Sequence, residues 1–232
     1  MIVALNNKCN LNKEEFKDYL QNLSSVTTPS QLILCPTYLN LSAVNIQNVK
    51  LGSQNVGTNG MGAYTGEVSA EQLKTYNVEY CIIGHSERRQ YQKESNEDVH
   101  KKIMKLFENE IKPILCIGET LEERQNGQFK EVLKEELLTA IDGLSEEQKN
   151  NMIVAYEPVW SIGTGVIPTS QEIEDVFNFI KTILPSTKIL YGGSANEENI
   201  DTLKQIELID GYLLGGLSLK IEKLKIFLEK LN

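Results

Sequence analysis

A histidine and a glutamate, each following an apolar run, are the residues of this sequence best suited to acid–base chemistry. His85 comes after the run Cys81-Ile82-Ile83 and Gly84, and Glu157 ends the run from Met152 to Tyr156. We expect a helix to begin near His85, where the helix dipole lowers the pKa of an imidazole. Apolar walls around a carboxylate raise its pKa and suit it to act as a base. Taken alone, His85 is most simply interpreted as a surface loop residue and Glu157 as part of a structural ion pair. The neighbouring loops are therefore needed to distinguish these interpretations from a catalytic role.

The segment after Glu157 has the composition of a movable loop that also contacts a ligand. It carries Trp160, the single tryptophan of the chain, and the run Gly163-Thr164-Gly165. Two glycines flanking a threonine give a loop the backbone freedom that closing requires. A lid beside a carboxylate base indicates a reaction whose intermediate must be kept from water.

Glycine pairs follow the last two apolar runs, where α/β barrels commonly bind phosphate. Gly192-Gly193-Ser194 and Gly215-Gly216 offer backbone N–H groups to an anion. A glycine pair alone marks only a turn, but two pairs at these loops, with Gly163, favour a phosphate site. Lys8, after the first run, would supply the positive charge that an anion needs in an acidic protein.

Short apolar runs alternate with amphipathic stretches along the chain. Helical periodicity marks Lys13 to Leu23, Glu97 to Glu110, Glu119 to Ile141, Gln171 to Leu184 and Leu217 to Leu231. The eight apolar runs are Ile2 to Leu5, Leu32 to Cys35, Val49 to Gly52, Tyr80 to Ile83, Ile114 to Ile117, Ile153 to Tyr156, Lys188 to Tyr191 and Ile209 to Leu214. Eight such α/β units predict a closed (β/α)8 barrel, with an open doubly wound sheet as the alternative.

Nothing in the sequence divides this pattern into separate units. No linker or low-complexity tract interrupts it, so we expect residues 1–232 to form one domain. Ser145 to Lys149 is expected to be a solvated turn. In such barrels, chemistry gathers at the carboxyl ends of the strands, and the candidate residues lie there.

Charge and composition exclude several classes of function. Lys and Arg number 23 against 32 Asp and Glu, and the net charge of −9 disfavours binding to nucleic acid or to an anionic membrane. Two histidines, and four cysteines without a C-x-x-C pair, disfavour a metal site, so we expect chemistry without metal or cofactor. Reduced thiols, with neither a signal peptide nor a membrane span expected, predict a cytoplasmic protein.

Taken in order, these motifs resemble those of the triosephosphate isomerase family from Asn6 to the final helix. The family's Asn-x-Lys-x-Asn motif is matched by Asn6 to Asn10, and its Gly-Ala-aromatic-Thr-Gly-Glu loop by Gly62 to Glu67. The other matching segments are Gly84-His85-Ser86-Glu87-Arg88-Arg89, Ile114 to Thr120, Tyr156-Glu157-Pro158-Val159-Trp160, Tyr191-Gly192-Gly193-Ser194 and Leu214-Gly215-Gly216. The resemblance implies a TIM barrel that interconverts dihydroxyacetone phosphate and glyceraldehyde 3-phosphate through an enediolate, in glycolysis and gluconeogenesis.

The resemblance also implies a role for each site residue. Glu157 would move the proton and His85 would polarise the carbonyl as a neutral imidazole, a pairing established for this enzyme family and not deduced from spacing. Lys8 would stabilise the enediolate and phosphate charges, with Asn6 assisting. The remaining implied roles are a phosphate cradle of Gly163, Ser194, Gly215 and Gly216, Glu87 beside the lysine, Ser86 and Cys116 near Glu157, and Tyr191 bonded toward the lid hinge. Family members are usually homodimers, and their interface loop matches Gly60 to Glu67.

The sequence departs from the family pattern at the end of the lid. Val166-Ile167-Pro168 stands where relatives commonly carry Lys, a small or β-branched residue and Ala. Proline has no N–H, so the support that the family's tyrosine, here Tyr191, receives from this position cannot form. Asn7 and Cys9 also differ from the residues common in the family at these positions. The loop Cys35-Pro36-Thr37-Tyr38 is shorter than in relatives, a change expected to affect stability more than activity.

Two other functions compete with isomerisation. An aldolase that forms a Schiff base would need a lysine inside the barrel on a middle strand, and the apolar cores of those runs contain none. A phosphate-binding barrel without catalysis would not need a base. The presence of Lys8, His85 and Glu157 together argues against this second alternative.

Overall fold

Eight parallel strands form a closed barrel in the computed structural model, which describes residues 1–162 and 167–232. Each strand pairs with the next along the chain, and β8 pairs with β1. The strands are β1 Ile2–Asn6, β2 Gln31–Cys35, β3 Val49–Ser53, β4 Tyr80–Ile83, β5 Lys112–Ile117, β6 Ile153–Tyr156, β7 Lys188–Tyr191 and β8 Gly211–Leu214. The predicted (β/α)8 barrel is confirmed, and the doubly wound alternative is excluded.

The central positions of the strands are mostly apolar because both faces of the sheet are covered. β4 and β6 are buried at every position. One set of their side chains, including Ile82 and Ala155, packs in the barrel interior, and the other set packs against the helices. This burial on both sides requires continuous apolar strands instead of alternating ones.

Helices connect the strands and turn one apolar face toward the barrel. In α4, Val99, Ile103 and Leu106 are buried, a spacing that places them on one side of the helix. The helices of the described ranges are α1 Lys13–Leu23, α2 Ala70–Thr75, α3 Ser86–Gln92, α4 Asn96–Glu108, α5 Leu121–Gln125, α6 Phe129–Ala140, α7 Glu146–Asn151, α8 Ser170–Ile183, α9 Ile200–Leu203 and α10 Ile221–Leu231. In those ranges, no helix has both the length and the apolar character that crossing a membrane requires.

The structure corrects three expectations about these helices. Ser145 to Lys149 is not a turn, because the Ser145 side chain accepts the N–H of Gln148 in a capping box that begins α7. Glu119 to Ile141 is not one helix, because Gly127, with a φ of 72°, separates α5 from α6. The last helix begins at Ile221 and not at Leu217, after a 3₁₀ turn.

Candidate active site

A cavity of about 410 Å³ opens where the strands end. Side chains from distant parts of the chain meet there because parallel strands present their carboxyl ends at one rim of the barrel. The predicted residues that line the cavity are Asn6, Lys8, His85, Glu157, Ser194, Gly215 and Gly216. Glu198, Lys220 and Lys223 also line it, although the sequence analysis gave them no role.

His85 and Glu157 are in direct contact. Nε2 of His85 lies 3.1 Å from Oε1 of Glu157, and the N–H of Ser86 donates to Oε2 of Glu157 at 3.2 Å. Nδ1 of His85 accepts the N–H of Glu87 at 3.2 Å, so this hydrogen bond assigns the ring proton to Nε2. His85 caps α3, as predicted, and its N–H, on Nε2, faces the Glu157 carboxylate.

This contact reverses both predicted pKa shifts. Burial lowers the pKa of His85, but the facing Glu157 carboxylate raises it, and the pKa lies above its ordinary value. Burial raises the pKa of Glu157, but His85 and the N–H of Ser86 lower it, and the pKa lies below its ordinary value. The predictions of a lowered His85 pKa and a raised Glu157 pKa were wrong for this arrangement, because they considered each residue without its partner.

Lys8 is held in a strained backbone conformation at the end of β1. Its φ is 52°, and Gln54 fixes this conformation by donating from Nε2 to the carbonyls of Lys8 and Cys35, each at 2.9 Å. The side chain of Asn6 accepts the N–H of Lys8 at 3.0 Å. Nζ of Lys8 lies 2.5 Å from Oε1 of Glu87. Gln54 belongs to none of the motifs identified in the sequence, so its positioning role was missed.

Rim glycines leave space for the reactive side chains. A Cβ atom at Gly192 would lie 2.8 Å from Cγ of Glu157, and one at Gly215 would lie 3.0 Å from Cε of Lys8. At Gly216 a Cβ atom would meet nothing within 4 Å. Side chains at the first two positions would press on Glu157 and Lys8, so glycine keeps both side chains in place.

The segments after β6 and β7 are joined by Ser194. Its hydroxyl donates to the carbonyl of Ser161 at 2.6 Å.

The environment of Tyr191 is largely apolar. Burial raises the pKa of Tyr191 to about 12, although nearby Ser161 lowers it. Within the described residues the Tyr191 hydroxyl has no hydrogen bond of good geometry. Pro168 is buried. Gly163, predicted to contact phosphate, lies outside the residues that the structure describes.

Cys116 lies in the barrel interior close to Glu157. The thiol is fully buried, and burial together with the Glu157 charge raises its pKa well above the usual value. This environment makes the thiol a packing group and not a nucleophile. Within the described ranges, no cluster of three or more His, Cys, Asp or Glu side chains could hold a metal ion.

Glu119, a buried carboxylate that had marked only the start of an expected helix, anchors the segment after Glu157. Glu119 accepts hydrogen bonds from the Tyr156 hydroxyl at 3.0 Å and from Nε1 of Trp160 at 3.1 Å. Arg124 pairs with the same oxygen at 3.3 Å, and burial raises the pKa of Glu119. The position of Glu119 after a strand and the single tryptophan were the only signals in the sequence.

A second buried ionic cluster supports α3, the helix that His85 caps. Glu94 pairs with Lys102 and with Nε of Arg88, and Lys102 donates to Oδ1 of Asn55 at 2.8 Å. Sequence analysis missed this cluster, because its members are charged residues that no periodic pattern distinguishes from surface residues. Buried charges of this kind are tolerated because they are paired.

The segment from Gly60 to Glu67 is exposed over most of its length. Met61 is 72% exposed and Tyr64 is 47% exposed. A second cavity of about 370 Å³ lies beside the site and is lined by Lys8, His85 and residues such as Thr37, Gln54, Asn55 and Tyr91.

The chain is similar to triosephosphate isomerases over almost its whole length. The family model described as triosephosphate isomerase matches residues 1–231. A relative of that name from Alkaliphilus oremlandii is 40% identical and aligns over 96% of each chain. Relatives of the same name from Clostridium botulinum strain Loch Maree and Francisella tularensis subsp. mediasiatica are 39% and 37% identical. The first covers 95% of each chain, and the second covers 100% of this chain and 97% of the relative.

Proposed function

The chain belongs to the triosephosphate isomerase family, and from that premise we propose that it interconverts dihydroxyacetone phosphate and glyceraldehyde 3-phosphate. The observation that carries the proposal is the contact of 3.1 Å between His85 and Glu157 in a cavity that also contains Lys8. A base, a hydrogen-bond donor and a cation in one cavity are the groups that a proton transfer next to a carbonyl needs.

Glu157 is the base in this mechanism. It removes a proton from the carbon next to the carbonyl, and the electrons of the broken C–H bond form the double bond of an enediolate. Returning the proton to the former carbonyl carbon, while the hydroxyl proton of the first carbon passes to the former carbonyl oxygen, completes the isomerisation. A substrate that separates Glu157 from His85 and from the N–H of Ser86 removes the interactions that lower the pKa of Glu157. Burial then raises that pKa, so the carboxylate becomes a stronger base when substrate is bound.

His85 polarises the carbonyl as a neutral imidazole once substrate separates it from Glu157, because the charge that raises its pKa is then removed and burial lowers that pKa. Its Nδ1 accepts the N–H of Glu87, and a proton on Nδ1 would place two donors against each other. The neutral tautomer keeps a proton on Nε2, the atom that faces the cavity beside Glu157. From there it donates to the substrate oxygen as negative charge develops during proton removal.

Lys8 and Asn6 serve the anionic parts of the substrate. Lys8 is largely buried and is paired with the half-exposed Glu87, which keeps its ammonium group at the rim. The positive charge stabilises both the enediolate oxygen and the phosphate. Asn6, which binds the N–H of Lys8, assists by fixing this position.

We assign the phosphate to the glycine-rich side of the cavity. Ser194, Gly215 and Gly216 line that side, and the open space at Gly216 leaves room for an anion. Backbone N–H groups bind phosphate without adding net charge, which suits a protein of net charge −9. Gly163 is part of the same proposal on the basis of the family motif.

We further propose a cytoplasmic homodimer of single-domain chains, 1–232, which works without metal or cofactor and binds neither nucleic acid nor membranes. The exposed segment Gly60 to Glu67 of one copy would enter the second cavity of the other, beside Lys8 and His85. The four cysteines are free, which fits a reducing compartment.

A coupled isomerase assay on the purified protein, run in both directions with a chelator present, tests the function. We expect turnover in both directions that the chelator does not change. Binding of a phosphate ligand without turnover would support the non-catalytic alternative and contradict the proposal. Inactivation by borohydride only in the presence of substrate would indicate a Schiff base. The lysines on the described strands, Lys50, Lys112 and Lys188, are all exposed and so are not placed for such chemistry.

A further inference from the structure

A buried carboxylate outside the proposed mechanism links the helix that His85 caps to the segment that contacts the backbone of Glu157. Glu136 lies on α6, and its side chain is 9% exposed. Oε2 of Glu136 accepts the N–H of Gly118 at 3.0 Å, and Oε1 lies 3.4 Å from a guanidinium nitrogen of Arg89. Both carboxylate oxygens therefore face N–H donors.

The Arg89 end of this bridge leads to His85. Arg89 belongs to α3, and its Nε donates to the carbonyl of Gly84 at 2.8 Å. A second nitrogen donates to Oδ1 of Asn96 at 2.6 Å. Arg89 thus holds the peptide that directly precedes His85 and links it to α4.

The Gly118 end leads to Glu157. A Cβ atom at Gly118 would lie only 1.8 Å from the carbonyl oxygen of Glu157, so the two backbones are in direct contact. The N–H of Glu157 donates at 2.8 Å to the carbonyl of Ile117, the residue that precedes Gly118. A shift of Gly118 would therefore move the backbone that carries the proposed base.

We propose that ionised Glu136 is a positioning residue that sets the spacing of His85 and Glu157 by holding Arg89 and Gly118 together. The inference rests on the proposed isomerase function and deepens it, because it adds a residue that acts through its neighbours without touching substrate. Small displacements of reacting groups are costly to turnover, so loss of this bridge should lower kcat and leave phosphate binding intact.

The charge of Glu136 is sensitive to pH near neutrality. Burial raises its pKa to about 7, against the opposing effects of Arg89 and the N–H of Gly118. A proton on either oxygen would face an N–H donor and break one end of the bridge. The charged and titratable groups around it are Arg89 of α3, Glu119 after β5, Glu123 of α5 and, on α4, His100, which contacts α6 at Ala140; Asn96 of α4 is a neutral neighbour of Arg89.

Glu136→Gln tests the proposal, with Glu135→Gln as the matched control. Glu135 is the exposed neighbour on the same helix, so its substitution removes the same charge without touching the bridge. We expect kcat of the wild type and of the control to fall as pH drops through about 7. Glu136→Gln should have kcat about tenfold lower at pH 8, less dependence on pH between 6 and 8, and an unchanged KM. A wild-type kcat and pH profile in Glu136→Gln would overturn the proposal, as would a change confined to KM.

Two further measurements separate positioning from folding. A raised carboxylate pKa in the folded state lowers stability as pH rises from the unfolded value toward about 7, so Glu136→Gln should not melt below the wild type at pH 8. If Glu136→Gln does not fold, Arg89→Lys should reproduce the loss of kcat, because lysine keeps the positive charge but lacks the planar guanidinium group that contacts several partners at once. An Arg89→Lys variant with wild-type kcat would contradict the proposal.

The amide N–H of Gly118 donates to Oε2 of Glu136, so its NMR signal reports the charge of Glu136 directly. In the wild type this signal should shift with a midpoint near pH 7, and in Glu136→Gln this step should be absent. This readout needs no turnover and distinguishes the two failures. A wild type without isomerase activity would remove the proposed function, whereas a Gly118 titration that persists in an active Glu136→Gln variant would remove only the role of Glu136.

Discussion

Replacing Lys8 by methionine should remove the charge that the proposed mechanism places at the rim and leave the fold intact. Methionine has a similar length, and it accepts the left-handed backbone of this position, where φ is 52°, no better than lysine does. Glu87, which loses its partner, is 42% exposed and is solvated by water. We therefore expect no change in the melting temperature beyond a few degrees.

The magnitude of the effect follows from the distance and exposure of the charge. Two unit charges about 4 Å apart interact by roughly 4 kcal/mol at an effective dielectric constant of 20. The Lys8 side chain is 25% exposed, so screening by water reduces the interaction. With about 3 kcal/mol remaining, kcat/KM should fall on the order of 100-fold, because about 1.4 kcal/mol corresponds to a factor of ten.

The assay compares steady-state turnover with the affinity for an unreactive phosphate analogue. Turnover and analogue affinity should both fall in Lys8→Met, because the one positive charge stabilises the phosphate and the developing enediolate. Lys223→Met is the matched control, since Lys223 lines the same cavity but is half exposed and paired with Glu197. It should stay within about threefold of the wild type, as expected for an exposed ion pair. Equal losses in the two variants, or an unchanged analogue affinity in Lys8→Met, would refute the role of Lys8.

Two further predictions concern assembly and the hinge after Glu157. Thr65→Arg should give monomers by light scattering and lower activity, because Thr65 lies in the exposed segment proposed to enter the partner copy; a wild type that is already monomeric at micromolar concentration would contradict this. Tyr191→Phe should reduce turnover less in the wild-type background than in the Pro168→Ala background. Alanine restores a backbone N–H, whose hydrogen bond contributes roughly 0.5–1.5 kcal/mol. An equally large loss in both backgrounds would show that the Tyr191 hydroxyl acts through another group, for which Ser161, which lowers the Tyr191 pKa, is a candidate.

The barrel could be predicted from the sequence because its strands must be apolar on both faces. The run Ile153 to Tyr156 contains no alternating polar residue, and β6 occupies the same four positions. Helix ends were less predictable. Gly127 separates α5 from α6 through its left-handed conformation, but a single glycine within a helix-like stretch does not by itself mark a helix end. Ser145 and Gln148 had the spacing of a capping box, yet a helix of six residues without buried side chains gives no periodic signal.

The members of the candidate site were predictable, but their electrostatics were not. His85 and Glu157 each follow a strand, so the parallel barrel brings them to one rim. The directions of their pKa shifts depend on a contact between residues 72 positions apart, and no local pattern encodes it. The same holds for Glu119 and Glu136, whose burial and partners arise from packing between elements. Sequence position therefore identified the candidate residues, whereas their supporting contacts required the structure.

Turnover of Glu157→Gln, measured beside its affinity for a phosphate analogue, tests the proposed mechanism most directly. Glutamine retains the size of the side chain and an oxygen that accepts from Nε2 of His85, but it cannot take up the substrate proton. The affinity should stay near that of the wild type, and kcat should fall by at least about 10²–10⁴-fold, the usual contribution of a general base. Glu198→Gln, which removes an exposed carboxylate from the same cavity, should keep wild-type turnover. Near-normal turnover in Glu157→Gln would contradict proton transfer by this residue.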